Sequence, residues 1–201
     1  MYMKYLLAYL LIVLGLGLVT NVKADDIRDF QIEGISIGDS LLDHFSEKEI
    51  NSMLKTEYPK SDKYIMLGYN SITKFNSYDG MSFHLKRNDD KFIIHSLKAG
   101  IYYRKNFNKC MVKKKSVVSD LKSIFKNIDT KEYEFKYKID DGKSIAFIND
   151  FALDNNDKIR VWCVDWSKTT KKKRNFVDNL AVSISPRYFL NWLNNEAGHG
   201  Q

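Results

Sequence analysis

Hydrophobic and polar positions repeat with two different periods along this chain. The clearest strand pattern covers residues 133–139, where Tyr133, Phe135, Tyr137 and Ile139 alternate with charged side chains. This period of two predicts a half-buried strand with one wet face. The clearest helix pattern covers residues 117–128, where apolar side chains recur at steps of three and four. Local signals therefore predict both helices and strands.

Capping and turn signals place the remaining elements. Ser46 and Glu49 form a capping-box pattern that opens a short helix ending near Lys55. A second short helix is predicted at Gly38-Asp39-Ser40, where Ser40 is a helix N-cap. Further patterns predict three strands over 64–103, three more at 143–153, 159–166 and 180–184, and a terminal helix that Ser185 caps and Pro186 starts.

Nearly all of these segments are joined by tight turns, and such connections favour antiparallel pairing. The predicted fold class is therefore α+β: an antiparallel sheet with a short N-terminal helix pair, one central helix and one C-terminal helix. The chain contains few glycines, only two prolines and no linker-like stretch. Residues 25–201 are accordingly expected to form a single domain.

The first 24 residues have the pattern of an export signal. Lys4 precedes an apolar stretch that is too short to span a bilayer comfortably, and the segment ends Val22-Lys23-Ala24. Cleavage is predicted between Ala24 and Asp25, which leaves no stable membrane span. An uncleaved N-terminal anchor is the alternative. The expected location is periplasmic or secreted.

The chain has a formal net charge of +7, and removing Lys4 and Lys23 with the signal leaves +5. A mildly basic protein favours anionic partners without selecting one, and export argues against nucleic acid. The run Lys171, Lys172, Lys173 and Arg174 is predicted to be a solvated hairpin loop. Its functional alternative is contact with an anionic surface or an acidic partner.

Two cysteines, Cys110 and Cys163, are predicted to form one disulfide because export places them in an oxidising compartment. Two free thiols are the alternative. Their spacing does not match a zinc or redox motif, and no metal or other cofactor is expected. His84 and His95 lie on neighbouring predicted strands and would face each other in only one register.

Aromatic side chains suggest a binding platform in addition to a core. Tyr102, Tyr103, Trp162, Trp166 and Trp192 are candidates for contact with a sugar or a partner protein. Aromatic residues at strand and helix spacing usually belong to the core, so both interpretations stay open.

The segment Gly38-Asp39-Ser40-Leu41 resembles the first block of the GDSL, or SGNH, esterase family. The resemblance implies a nucleophilic Ser40, an oxyanion-hole Asn149 and a base, His199. This chain has Phe147 where the family has a glycine, and Glu196 replaces the aspartate before His199. Hairpin-length turns also differ from the parallel fold of that family. A serine esterase that uses Ser40 is therefore the alternative function.

The composition, with the segment Phe30 to Ser40, resembles that of small exported proteins of bacteria with AT-rich genomes. Residues 33–104 are also similar to the ααβββ modules of outer-membrane assembly lipoproteins and of β-lactamase inhibitory proteins. These likenesses imply a binding protein whose partner is another envelope protein or an anionic surface. The expected function is binding rather than catalysis.

Overall fold

The computed structural model describes residues 27–71, 73–125, 128–153 and 155–198. In chain order the strands are β1 (Gln31–Ile32), β2 (Ile35–Ser36), β3 (Leu54–Tyr58), β4 (Ser61–Asn70), β5 (Gly80–Lys86), β6 (Ile94–Tyr102), β7 (Asp129–Lys136), β8 (Ile145–Ala152), β9 (Lys158–Asp165) and β10 (Asn179–Ser185). The helices are α1 (Glu47–Ser52), α2 (Phe107–Ile124), α3 (Lys168–Arg174) and α4 (Arg187–Asn195), with 3-10 turns at Ile27–Asp29 and Leu41–Asp43. The predicted α+β class is confirmed.

Strands β3 to β10 form one antiparallel sheet in the order β3-β4-β5-β6-β10-β9-β8-β7. It consists of two four-stranded meanders, β3 to β6 and β7 to β10. Their last strands, β6 and β10, pair at the centre, where Ala99 lies opposite Val182. Each meander follows a helix, and in the second meander α3 is inserted between β9 and β10.

The first side of the sheet, which we call the helix face, carries the main hydrophobic core. Helix α2 packs across β9 and β10, and the predicted disulfide between Cys110 and Cys163 joins it to β9. Leu97, Val161 and Leu180 are fully buried in this core, which extends through both meanders. The disulfide is thus part of the core that joins the two halves.

The short N-terminal elements cover the first meander on the same side. Ser40 caps the turn Leu41–Asp43 in a capping box, and Ser46 caps α1 in another, as predicted. Phe45 lies between them and packs against Phe83 of β5 with ring centroids 5.6 Å apart. The caps therefore direct the chain so that its apolar residues reach the sheet.

The opposite side of the sheet is called the open face, and α4 covers only the part of it near β3 to β6. Trp192 of α4 is buried against Tyr58 and Tyr64, with ring centroids 4.8 and 4.6 Å away. The backbone N–H of Arg187 donates to the Asp157 carboxylate at 2.7 Å, which satisfies a donor at the start of the helix. Tertiary contacts thus fix α4 at one corner of the open face.

Several predicted boundaries were wrong. Helix α1 ends at Ser52, and residues 54–58 form the edge strand β3, so the first half holds four strands and not three. Helix α2 begins at Phe107, ten residues before the start of the predicted apolar pattern. Helix α4 has Pro186 at its N-cap position, and the Ser185 hydroxyl instead meets that of Ser96 at 2.8 Å.

The predicted export signal and its cleavage site at Ala24 and Asp25 lie outside the described residues, as does His199. Among the described residues, no helix has both the length and the apolar character needed to cross a membrane. The disulfide is compatible with an exported protein.

Candidate binding face of the sheet

One row of side chains crosses the open face near the centre of the sheet. Strand register places Lys98 of β6, Ser183 of β10, Arg160 of β9 and Asp150 of β8 directly beside one another. Because side chains alternate between the faces of a strand, all four point to the side opposite α2. We call this set the central polar row.

Asp150 is the anchor of a compact charge network in that row. Arg160 donates to both Asp150 oxygens, at 2.6 and 2.9 Å, and Lys158 donates at 3.1 Å. The Tyr133 hydroxyl also donates to Asp150, at 3.1 Å. Burial alone would raise the pKa of Asp150, but the hydrogen bonds and charges of Arg160 and Lys158 outweigh it and lower that pKa. Two cations therefore share one carboxylate.

Lys98 stands apart from this network. Its four nearest neighbours on the open face are small: Ser82 and Ser183 on the adjacent strands, and Ser96 and Gly100 along β6. Lys98 forms no ion pair or hydrogen bond with the part of the chain described here. Burial lowers the pKa of its ammonium group. Within the described residues, Lys98 is therefore a cation near the centre of the sheet without a paired carboxylate.

An aromatic cluster adjoins the central polar row on the second meander. Its members lie on or just beyond the open face of β7 and β9. A small apolar patch of Ala146, Ile148 and Val164 is packed against four of them, Tyr133, Tyr137, Trp162 and Trp166. Phe135 packs on Tyr137, and Phe176, from the segment before β10, packs on Trp166, with ring centroids 5.1 and 4.7 Å apart. Phe135 is 37% exposed and Phe176 is 39% exposed. Large apolar rings are therefore left in contact with solvent.

The predicted aromatic platform is divided by the structure. Tyr102 and Trp162 share the open face, and Trp166 follows β9 on the same side. Trp192 belongs to the buried cluster beneath α4, and Tyr103 packs against the main core. Sequence reasoning did not include Phe176, because only the fold brings it to within 4.7 Å of the Trp166 ring.

The basic run is a helix and not the predicted loop. Ser167 caps α3, and Lys171 donates to Asp178 at 2.6 Å. Arg174 pairs with Asp140 at 2.8 Å, and Lys173 lies 3.9 Å from the same carboxylate. Three of the four predicted contact residues, Lys171, Lys173 and Arg174, are therefore engaged within the chain, while Lys172 has no ion pair with a described residue.

The esterase candidates are not assembled into a site. The Ser40 hydroxyl donates to the carbonyl of Lys91 at 2.6 Å and accepts from the Leu42 amide at 3.2 Å, which is a cap arrangement. Ser40 bridges Ile93 beside β6, whereas Asn149 is buried on the helix face of β8, three strands away. At about 4.8 Å per strand this separation is roughly 14 Å.

His84 and His95 both lie beside α4, where His84 is 4.7 Å from the Phe189 ring and the His95 Nδ1 is 2.9 Å from the Tyr188 hydroxyl. Within the four described stretches of the chain, no group of three metal-ligating side chains is found.

Comparison of the chain with protein-family models, with curated proteins and with solved structures gives no match. The functional argument therefore depends on the chemistry of the open face.

Proposed function

We propose that this protein is an exported binding protein of the bacterial envelope, and that the open face of its second meander contacts another protein. The observation that carries the proposal is the aromatic cluster, whose rings Phe135 and Phe176 stay more than a third exposed on the side opposite α2. Exposed apolar patches bordered by polar groups are typical of protein interaction sites.

The composition of the face supports the same interpretation. Tyrosine, tryptophan and arginine are enriched at protein interfaces because each combines a large contact area with a polar group. Trp162, Arg160 and Tyr133 lie next to one another here, with the Arg160 guanidinium 3.0 Å from the Tyr133 hydroxyl. These are also the residue types that contribute most binding energy in interfaces.

The two edge strands of the sheet disfavour a partner that binds by adding a strand, and so favour contact through the open face. Strand β7 carries charged residues along one side, namely Glu132, Glu134 and Lys136. The other edge strand, β3, has a register irregularity between Glu57 and Tyr58. Charges and irregularities at an edge discourage the addition of a further strand. A partner would therefore recognise side chains and not extend the sheet.

Export is the second part of the proposal. The pattern of residues 1–24 and the disulfide between Cys110 and Cys163 both favour an oxidising compartment. The proposed location is periplasmic or secreted.

Site-specific photo-crosslinking in the native bacterium tests the proposal. A benzophenone amino acid at Phe135 or Phe176 is expected to give one discrete adduct, and competition with unlabelled protein is expected to remove it. The matched control places the same group at Val112, which is 70% exposed on the outer side of α2. Equal adducts from Val112 and Phe135, or none from either open-face position, would overturn the proposal.

No contact in the described residues favours the esterase alternative, which predicts covalent labelling of Ser40 by a fluorophosphonate. We expect no label, because the hydroxyl proton is committed to the Lys91 carbonyl. A stoichiometric adduct on Ser40 would replace the binding proposal with an acyl-transfer function.

A further inference from the structure

The outer side of helix α2 is an exposed surface that the proposed function does not use. We infer that this side docks the protein on an anionic lipid surface, where its lysines bind the headgroup phosphates. The inference goes beyond the proposed function and does not depend on it, because α2 and the aromatic cluster lie on opposite sides of the sheet.

Helix geometry decides which residues form the outer side. Cys110 and Lys114 are buried on the side towards the sheet, and Val112 lies about 200° around the helix from Cys110. Val112 is 70% exposed. It belongs to a strip of exposed, uncharged side chains that runs along the helix, namely Asn108, Val112, Ser116, Ser119 and Ser123. With a rise of about 1.5 Å per residue, the strip is about 22 Å long.

Lysines border this strip on both sides. Lys109 and Lys113 each follow a residue of the strip by one position, whereas Lys115 and Lys122 each precede one. One position is about 100° of rotation, so the two pairs flank the strip on opposite sides. All four lysines are exposed, and Asp120 is the one acidic residue in the sequence of α2. The outer side therefore carries a net positive charge.

These lysines differ from the basic residues that the fold itself uses. In α3, Arg174 is paired with Asp140 at 2.8 Å. In α2, the one ion pair with a described residue is that of Lys114 with Glu132, on the side towards the sheet. The four bordering lysines make no side-chain ion pair or hydrogen bond within the described stretches. Their charges are open to an external anion.

A lipid surface matches this arrangement better than a protein does. Lysine stems are long and flexible, so the ammonium groups can reach phosphates at the level of the strip. Each lysine of a polybasic segment strengthens binding to an anionic bilayer about fivefold. Protein interfaces depend instead on large anchors such as Trp, Tyr and Arg. The aromatic residues at the two ends of α2, Phe107 and Phe125, pack against the main core. The outer side thus presents charge without anchors, which suits a planar array of mobile anions.

The start of the described chain indicates the same surface. Phe30 stacks on Phe125, at the C-terminal end of α2, with ring centroids 4.8 Å apart. The apolar stretch of the predicted export signal ends at Val19. The chain from there to Ile27 reaches at most about 28 Å. A signal of this kind enters a membrane during export, which brings a lipid surface within reach of α2.

Vesicle flotation with matched variants tests the inference. The oxidised protein, purified after export, is expected to float with vesicles of phosphatidylglycerol and phosphatidylcholine in equal parts and not with phosphatidylcholine alone. Salt at about 0.5 M is expected to abolish binding by screening. Lys109→Gln with Lys113→Gln should weaken the partition about twentyfold. The control, Lys168→Gln with Lys172→Gln, removes the same charge at the same spacing from exposed positions of α3 and should change the partition less than about twofold.

A photo-crosslink locates the contact. A benzophenone amino acid at Val112 is expected to add the mass of one phospholipid in anionic vesicles, and the same group at Phe135 is expected to add none. A phospholipid adduct is far smaller than a protein adduct, so Val112 still serves as the control for the open face. Glutamine keeps the helix propensity of lysine. The unfolding midpoint of Lys109→Gln with Lys113→Gln should therefore equal that of the parent protein.

Each other outcome overturns the inference. It fails if both double variants lose binding equally, if neutral vesicles bind equally well, or if anionic vesicles do not bind at low salt. If the protein instead binds soluble polyglutamate, and Lys109→Gln with Lys113→Gln abolishes that binding, the outer side recognises an acidic polymer and not a lipid. None of these results bears on the proposed function, which the adducts from Phe135 and Phe176 test.

Discussion

Both meanders follow a helix, yet they are covered differently. In the first, the N-terminal elements cover the helix face, and α4 covers the open face at one corner. In the second, α2 covers the helix face of β9 and β10, while the aromatic cluster on the open face stays partly exposed. The difference teaches that the first half, called the closed half below, has some cover on both faces, whereas the second, called the open half, leaves aromatic rings in contact with solvent.

The edge strand β7 shows how coverage sets the polarity of a strand. Its charged residues Glu132 and Glu134 lie on the helix face, and its aromatic residues Tyr133 and Phe135 lie on the open face. Helix α2 packs on β9 and β10, and its buried Lys114 meets Glu132 at 3.3 Å. At this edge the helix face is therefore the wet side, and the open face holds the apolar side chains.

The largest expected effect is a loss of stability in the closed half, at the buried Trp192. Trp192→Ala removes a buried ring together with the hydrogen bond from its indole N–H to the Ser61 hydroxyl, at 2.9 Å. It should lower the free energy of unfolding by about 3–5 kcal/mol. Trp162→Ala, on the open face, should cost about 1–2 kcal/mol, because less of that ring is buried. Urea unfolding of both variants measures the difference, and equal losses would contradict the comparison.

The second effect concerns the disulfide that joins α2 to β9 in the open half. Replacing Cys110 and Cys163 together by alanine removes a disulfide that closes a loop with a sequence separation of 53. The loop-entropy estimate gives a loss of up to about 4 kcal/mol. Chemical unfolding of the unmodified protein with reductant should show the same loss, and the double variant should not respond to reductant. A response of the double variant would point to a different cause.

A smaller effect is expected at the N-cap of α1, which is one of the N-terminal elements that cover the closed half. Ser46→Ala removes the hydroxyl that accepts from the Glu49 amide and should cost about 1 kcal/mol. Ser119→Ala is the matched control, since it changes an exposed serine inside α2 and removes no cap. Unfolding midpoints in urea compare the two variants. Equal midpoints would show that the cap does not stabilise α1.

The smallest effect is a pH dependence in the same cap. The Ser46 amide and hydroxyl, with the Lys74 ammonium, lower the pKa of Glu49 from 4.5 to about 2. A carboxyl whose pKa is lower in the folded state stabilises the fold above its ordinary pKa and loses that contribution as pH falls through the folded value. Glu49→Gln should therefore flatten the decline of the melting temperature between pH 4.5 and 2. Glu47→Gln, in the same helical turn, should leave the slope unchanged.

Local signals in the sequence predicted the elements that local forces determine. The N-cap at Ser40 and the capping box at Ser46 were confirmed, because each depends on residues no more than three positions apart. The alternation that marks β7 was also confirmed. The strand β3 was missed because its residues are mostly exposed and lack a clear alternation. Helix α3 was missed because Thr170 is its one buried residue and its cations pair with aspartates outside the helix.

The candidate site could be predicted only in part. Trp162 and Trp166 were recognised from their type and spacing. The place of Lys98 in the central polar row was not, because a single lysine in a strand has the appearance of an ordinary wet-face residue. Its alignment with Arg160 across Ser183 depends on the pairing of β6 with β10, residues about 80 positions apart. No periodic pattern in a single chain encodes that register.

The position of β10 has a consequence for the order of folding. The strand that completes the centre of the sheet is the last one in the chain, so β6 and β9 each keep an unpaired side until Asn179–Ser185 is in place. Pairing of segments so distant in sequence is slow. A chain released before residue 179 would leave one side of β6 and one side of β9 without a paired strand and open to other chains. Synthesis of Asn179–Ser185 is therefore the step after which the two meanders can pair through one strand.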